Sequence, residues 1–134
     1  MPDLSNRARG RWGEARAASH LRALGFAIID RNWRPSEREL RGDIDLVARR
    51  DDVIVFCEVK ARRGARFGGA ASAVDVAKQQ RVRTLAASWL REHAVGDAGV
   101  GGADVGRVDV GEVDVRFDVI AIDGVALTHH PSAF

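Results

Sequence analysis

The clearest hydrophobic pattern in the chain is the run Val-Ile-Val-Phe-Cys-Glu-Val at residues 53–59, where apolar positions follow one another almost without interruption. β-branched and aromatic residues in such a run are typical of a strand buried on both faces of a sheet. Glu58 lies inside this run. An ionised carboxylate without a partner there would cost several kcal/mol, so Glu58 must be protonated, paired or bound to a cation.

The pattern elsewhere predicts two helices and four further strands. Apolar residues recur at helical spacing over residues 3–24, before Gly25, and again over about residues 71–93. The apolar stripe of the first helix is predicted to comprise Leu4, Ala8, Trp12, Ala15, Ala18, Leu21 and Leu24. The further strands are predicted at residues 26–33, 42–47, 113–122 and 125–130. The resulting order, αβββαββ, predicts an α/β domain with a mixed β-sheet flanked by helices.

The hairpin formed by residues 42–47 and 53–60 gathers carboxylates. If the two aspartates of the intervening turn form a two-residue loop, the antiparallel register places Asp45 opposite Glu58 and Asp43 opposite Lys60 on one face. Carboxylates clustered in this way suit a hard cation such as Mg²⁺, and a nearby lysine can hold or deprotonate a water for metal-assisted hydrolysis of a phosphodiester. A buried ion pair between Glu58 and Lys60, with two aspartates at a strand edge, explains the spacing equally well.

Glu14 is a further candidate because it shares a row of the first helix with inward-facing residues. Gly10 and Gly13 lie shortly before it, and each weakens a helix by up to about 1 kcal/mol, so their presence indicates room for something to approach the helix closely. The alternative is a surface glutamate that pairs with Arg11 or Arg16.

Basic residues concentrate in the first two thirds of the chain. Residues 1–94 hold 19 Lys and Arg against 12 Asp and Glu, whereas residues 95–134 hold 2 against 7. The glycine-bearing loop after residue 61 and the first half of the second helix are the candidates for contact with nucleic-acid phosphates. The candidate residues are Arg62, Arg63, Arg66, Lys78 and Arg81. A solvated arginine loop would look similar, and a GC-rich genome also favours arginine over lysine.

Length and composition fit a single domain over residues 1–134, with a glycine-rich segment at about residues 95–110 that is predicted to be a flexible loop. The single Cys57 excludes an intramolecular disulfide, and no apolar run approaches the roughly 20 residues of a membrane helix. A cytoplasmic protein without membrane contact is therefore expected. His129 and His130 face opposite ways on a strand, which favours an exposed histidine tail over a shared metal site.

Several short motifs occur in one order along nearly the whole chain. They are Gly-Arg-Trp-Gly-Glu at residues 10–14, Arg-Asn-Trp-Arg at 31–34, Gly-Asp-Ile-Asp-Leu at 42–46, Phe-Cys-Glu-Val-Lys-Ala-Arg at 56–62 and Arg-Phe-Asp-Val at 116–119. With these motifs the chain resembles the YraN family of small bacterial proteins, on the PD-(D/E)xK, or restriction-endonuclease-like, nuclease fold. The YraN family is similar to archaeal Holliday junction resolvases.

The resemblance implies a three-layer restriction-endonuclease-like fold and a metal-dependent endonuclease that acts on DNA, with branched DNA as a candidate substrate. By position it makes Asp45, Glu58 and Glu14 the ligands of Mg²⁺ or Mn²⁺, and Lys60 the catalytic lysine. The family usually has glutamate where this chain has Asp43, which is one methylene shorter. Asp43 is therefore taken as an accessory residue, together with Lys78.

The alternative function is a non-catalytic module that binds nucleic acid or a partner protein on the same fold. The complete set of Asp45, Glu58 and Lys60 favours the enzyme. Resolution of a junction would require two sites, and hence a homodimer, although no segment of the sequence identifies an interface.

Overall fold

The structure of the protein, a computed structural model, describes residues 6–62, 74–94 and 108–134. Its elements are helix α1 (Asn6–Ala23), strands β1 (Ala27–Trp33), β2 (Ile44–Arg50) and β3 (Val53–Arg62), helix α2 (Val76–His93), and strands β4 (Asp114–Asp123) and β5 (Ala126–His130). A short 3-10 helix, Val110–Glu112, precedes β4. The predicted α/β class and the predicted order αβββαββ are confirmed.

The five strands form one mixed sheet in the order β1-β2-β3-β4-β5. Neighbouring strands are antiparallel except β3 and β4, which are parallel. Parallel neighbours need a long crossover connection, and α2 lies within that connection. The carboxyl ends of β3 and β4 therefore meet at the same edge of the sheet.

The two faces of β3 are buried against different helices, which makes three layers. Val55 and Cys57 pack in one core cluster with residues of α1. Ile54 and Phe56 pack in the other with Trp89 and its neighbours on α2. The prediction that this strand is buried on both faces is confirmed, and Cys57 is a core residue.

The predicted apolar stripe of α1 is partly wrong. Trp12 is 47% exposed, and Ala15 and Leu24 are also exposed, whereas the buried row is Gly13, Ala17 and Leu21, with Ala18 beside it. The reason is steric, because a Cβ atom added at Gly13 would lie only 2.8 Å from the Cβ atom of Ala61. The helix approaches the sheet through its smallest side chains, which turns the indole of Trp12 outward.

This packing makes Gly13 sensitive to substitution. Gly13→Ala should lower the free energy of unfolding by about 1–2 kcal/mol, because overpacking against Ala61 outweighs a gain in helix propensity of at most about 1 kcal/mol. Gly10→Ala is the matched control, since nothing lies within 4 Å of a Cβ atom added there, and it should be neutral or stabilising. Urea denaturation of both variants checks this, and equal stability of the two would contradict the close approach at Gly13.

The histidines near the carboxyl terminus differ from expectation. His129 is not part of an exposed tail, because its Nε2 lies 2.7 Å from Oδ2 of Asp118 and its Nδ1 lies 3.1 Å from Nε2 of His20. Asp118 is fully buried and also accepts two hydrogen bonds from Arg116 and one from the backbone of Ser132. Asp118 supplies the buried acceptor that draws the His129 ring inward, and the His20 ring joins α1 to β5.

The His20–His129 contact predicts a pH dependence. Burial, and then the neighbouring His129, hold the pKa of His20 below its usual 6.5. As the pH falls below 6.5, the unfolded chain therefore binds more protons than the folded chain. The free energy of unfolding consequently decreases on acidification.

The matched variants for this prediction are His20→Gln, which can still donate a hydrogen bond to His129 but does not titrate, and His130→Gln. Between pH 8 and pH 5, wild type and His130→Gln should lose stability relative to His20→Gln, by a few degrees in melting temperature. Parallel melting curves for all three proteins across this range would contradict the assignment.

Most of the segment that the sequence predicts to be a flexible loop, residues 95–107, lies outside the described residues. Its carboxyl end, which the structure describes, is packed: Val108 is fully buried and its backbone N–H donates to the carbonyl oxygen of His93 at 2.9 Å. Among the described helices, none has the length and apolar character needed to cross a membrane.

Candidate functional site

The candidate site begins where β2 and β3 separate. The ladder between these strands starts at Arg50 and Val53, across the predicted two-residue turn, and its last pair is Leu46 with Cys57. One residue further, Oδ2 of Asp45 accepts a hydrogen bond of 2.8 Å from the backbone N–H of Val59. The side chain of Asp45 thus satisfies a backbone donor of β3 at the point where the strands diverge.

Glu58 is the buried carboxylate of the site, with 2% of its surface exposed. Its Oε2 lies 3.5 Å from Nζ of Lys78 on α2. Its Oε1 is buried and has no hydrogen-bond partner among the described residues. A buried carboxylate oxygen without a partner is costly, so this atom marks a position where a cation or a donor group is needed.

The two carboxyl groups of Asp45 and Glu58 lie close enough to interact directly. Burial, and then the charge of Glu58, raise the pKa of Asp45 from its usual 3.8 to about 8. Burial also raises the pKa of Glu58, against the opposing effects of Lys78 and Lys60. Two carboxylates that repel each other in a poorly solvated place share a proton unless a cation binds between them.

Glu14 lies on the side of α1 that faces these carboxylates. Its side chain is partly buried and adds to the charge that raises the pKa of Asp45. Oε2 of Glu14 accepts a hydrogen bond of 2.8 Å from Nδ2 of Asn32, rather than pairing with Arg11 or Arg16. The sequence gives only a weak indication that Asn32 belongs to the site. Asparagine tolerates the left-handed backbone conformation, which Asn32 adopts with a φ of 47°.

The two lysines near Glu58 come from different elements. Lys60 follows Glu58 on the same face of β3, is partly buried, and its charge lowers the pKa of Glu58. Lys78 lies in the first turn of α2, where its backbone N–H donates to the capping carboxylate of Asp75 at 2.8 Å. The ion pair to Glu58 that the sequence leaves open for Lys60 is made by Lys78.

The remaining predicted residues stand as follows. Asp43 is partly buried and contributes to raising the pKa of Asp45. Arg81 is exposed on α2, and its Cδ would lie 3.3 Å from a Cβ atom added at Gly42, so this part of α2 borders the start of β2. Arg62 ends β3, and Arg63 and Arg66 lie outside the described residues.

The arrangement therefore offers two adjacent carboxylates, a third on α1 within electrostatic reach, and two amines. Within residues 6–62, 74–94 and 108–134, no three His, Cys, Asp or Glu side chains already converge as a complete metal centre. Mg²⁺ needs only one or two carboxylates, because it usually keeps several waters. Chemically, the oxygen atoms suit a hard divalent cation, and the amines suit a phosphate or a water beside it.

Comparison with known proteins adds a family. A model described as "Uncharacterised protein family UPF0102" matches residues 13–122. A UPF0102 protein of Acidothermus cellulolyticus is 41% identical over 132 residues, covering 95% of this chain and 93% of that relative. A UPF0102 protein of Frankia casuarinae is 54% identical over 86 residues, covering 64% of this chain and 70% of that relative. The predicted resemblance to YraN proteins is confirmed at the level of this family.

Proposed function

This chain belongs to the uncharacterised protein family UPF0102, and we propose that it is a metal-dependent endonuclease that hydrolyses phosphodiester bonds in DNA on a PD-(D/E)xK nuclease fold. The observation that carries the proposal is the buried Glu58, whose Oε1 lacks a partner among the described residues, beside Asp45 at the diverging ends of β2 and β3. A purely structural ion pair would need one acidic side chain here, not two that repel each other.

The residues present fit a divalent cation. Asp45 and Glu58 would hold it, and Glu14 would complete the set from α1, all through the oxygen atoms that Mg²⁺ and Mn²⁺ prefer. When bound, such an ion polarises the phosphodiester and lowers the pKa of a coordinated water. Oε1 of Glu58 supports this fit, since a cation would relieve its lack of a partner in place of the proton that Glu58 shares with Asp45.

The chain's own groups divide the remaining work. Lys60, whose positive charge lowers the pKa of Glu58, would orient the attacking water by donating a hydrogen bond to it and would stabilise the negative charge that develops on the phosphate. Lys78 on α2 pairs with the carboxylate of Glu58, and its amine is the nearest described cation to Oε2 of Glu58. Asn32 keeps the carboxylate of Glu14 directed to this side of α1. The protein thus orients its ligands before substrate arrives.

DNA is the proposed substrate because basic residues lie near the carboxylates, either in space or in sequence. Lys78 and Arg81 lie on the part of α2 that borders the site, and the arginine-bearing segment follows directly after β3. Cationic side chains beside a metal-binding carboxylate pair contact phosphates through interactions that salt weakens. The resemblance implied by the sequence motifs, through the YraN family to archaeal Holliday junction resolvases, makes branched DNA the first structure to test, and a homodimer would supply the two sites that a junction requires.

The experiment compares cleavage of a four-way DNA junction and of single-stranded DNA by wild type, Asp45→Ala and Asp52→Ala in the presence of Mn²⁺. Asp52 lies in the exposed turn between β2 and β3, so its variant is a matched control for the loss of one aspartate. Wild type and Asp52→Ala should cleave, and Asp45→Ala should not. DNA binding without cleavage by wild type would refute the endonuclease and favour the non-catalytic binding module.

A further inference from the structure

A concave surface formed by described residues lies on the other side of α1 from Glu14. A groove of about 750 Å³ opens between α1 and the turn that joins β4 to β5. Its walls are formed by Trp12, Arg16 and His20 on the helix and by Val125 and Leu127 on the hairpin. This volume is in the range of pockets that hold small organic groups.

The walls of this groove are unusual for a surface that contacts only water. Trp12 is 47% exposed, and Val125, which also lines the groove, is 91% exposed. Large apolar side chains exposed to this degree are few in the described part of the chain. Exposed apolar side chains that line the same groove are typical of a binding surface.

Trp12 is fixed in its orientation. The guanidinium of Arg16 lies 5.2 Å from the centre of the indole ring and covers one of its faces. Arg16 is in turn anchored, because its Nη1 and Nη2 donate hydrogen bonds of 3.1 and 2.9 Å to the carbonyl oxygens of Gly124 and Val125. A ring with one face covered by an anchored cation and half its surface exposed offers its other face to a planar group at little cost in conformational entropy.

The charge around the groove favours a polyanion. Among the residues of α1 whose side chains the structure describes, Arg11, Arg16 and Arg22 are basic and Glu14 alone is acidic; Arg16 lines the groove, whereas Glu14 faces the carboxylate site. A planar group that arrives attached to phosphates therefore matches both features of this surface, the aromatic face and the positive charge. An unpaired nucleobase in a single strand of DNA is such a group.

The groove and the carboxylate site both lie toward the carboxyl ends of the parallel strands β3 and β4. In the parallel pairing of β3 and β4, Arg62 lies opposite Asp123, and the β4–β5 turn that anchors Arg16 follows immediately. Glu58 lies four residues before Arg62 on β3, which is about 13 Å along a strand. A strand of DNA held at the carboxylates can therefore reach the groove within a few nucleotides.

We infer that the groove is a binding site for an unpaired base of single-stranded DNA, which stacks on the open face of Trp12 while its phosphates lie against Arg16 and the neighbouring Arg11. The inference rests on the proposed function, since it assigns a second contact to the same DNA. It makes the substrate a DNA with an unpaired segment near the cleaved bond, such as the single-stranded flank of a branched structure.

The test measures binding of a labelled single-stranded oligonucleotide in EDTA, where no cleavage occurs, by fluorescence anisotropy. Trp12→Ala should weaken binding about tenfold or more, and Trp12→Phe should retain most of it, because stacking needs an aromatic face. The matched control is Leu24→Ala, which removes another exposed apolar side chain, from the turn directly after the same helix, without touching the groove. It should bind as wild type does. An oligonucleotide of abasic residues should bind wild type and Trp12→Ala equally.

Equal binding of the normal oligonucleotide by wild type and Trp12→Ala, with both proteins folded by circular dichroism, would overturn the inference. An absence of binding by wild type would overturn it as well. The outcome is separable from that of the endonuclease proposal: cleavage that survives Trp12→Ala with unchanged binding refutes only the base site, whereas Trp12-dependent binding without cleavage in Mn²⁺ refutes only the nuclease.

Discussion

Asp45→Asn should make the metal-free protein more stable at pH 8, by several kcal/mol, and should raise the melting temperature by roughly 10 °C or more. The physical reason is that burial and Glu58 raise the pKa of Asp45 to about 8, so the folded state resists the ionisation that the unfolded state undergoes near 3.8. The folded protein holds the extra proton between these values, and stability falls as the pH rises from about 4 to 8. Asparagine removes this loss and keeps an acceptor for the N–H of Val59.

Thermal melts in EDTA at pH 5 and pH 8 check this prediction. The advantage of Asp45→Asn over wild type should be large at pH 8 and small at pH 5. The matched control, Asp52→Asn in the exposed turn, should show no such pH dependence. A variant that is less stable than wild type at pH 8 would mean that the negative charge of Asp45 is a structural requirement of the β2–β3 hairpin, and the functional interpretation of the pair would lose its basis.

The two lysines should separate catalysis from structure. Lys60→Met keeps most of the side-chain volume and leaves the ion pair between Glu58 and Lys78 in place, so the variant should fold and bind metal. Cleavage should nevertheless fall by at least about 100-fold, because the attacking water loses a positioned amine and the phosphate loses a cation.

Lys78→Met is the matched comparison, since it removes the amine that contacts Glu58 directly. Its larger expected effect is on stability, a loss of about 1–3 kcal/mol in the absence of metal, because a buried carboxylate is left without its partner. Melting and cleavage measured on the same preparations distinguish the roles. Full activity of Lys60→Met, or a strong loss of stability in that variant, would refute the catalytic role of Lys60.

The features predicted from sequence are the ones that local chemistry decides. The two-residue turn at Asp51 and Asp52 fixes the hairpin register by itself, and Asp51 adopts the positive φ of 54° that such a turn needs. The alternation along β3 then places Glu58 and Lys60 on one face. For this reason the neighbourhood of Asp45 and Glu58 could be derived from a short stretch of sequence.

What sequence reasoning missed depends on contacts between distant elements. The orientation of α1 follows from the 2.8 Å approach that Gly13 permits at Ala61, and a helical pattern alone favours the larger Trp12 as the buried residue. The partner of Glu58 is Lys78, which is 20 positions away in sequence and reaches it only because α2 crosses this face of the sheet.

Two further contacts are beyond local patterns for the same reason. Asn32 reaches Glu14 from β1, and His129 turns toward Asp118 and His20. Asp118 and His129 lie on the antiparallel neighbours β4 and β5, so the register of that hairpin predicts that the two residues are near each other. Nothing in the sequence, however, marks Asp118 as buried.

The most direct measurement of the central claim, that Asp45 and Glu58 form a divalent-cation site, is a calorimetric titration of the protein with Mn²⁺. Wild type should bind one Mn²⁺ per chain with release of protons, because the ion displaces the proton that the two carboxyl groups share. The double variant Asp45→Ala, Glu58→Ala should lose this binding, and Asp52→Ala should retain it. Equal Mn²⁺ affinity in wild type and the double variant would contradict the account.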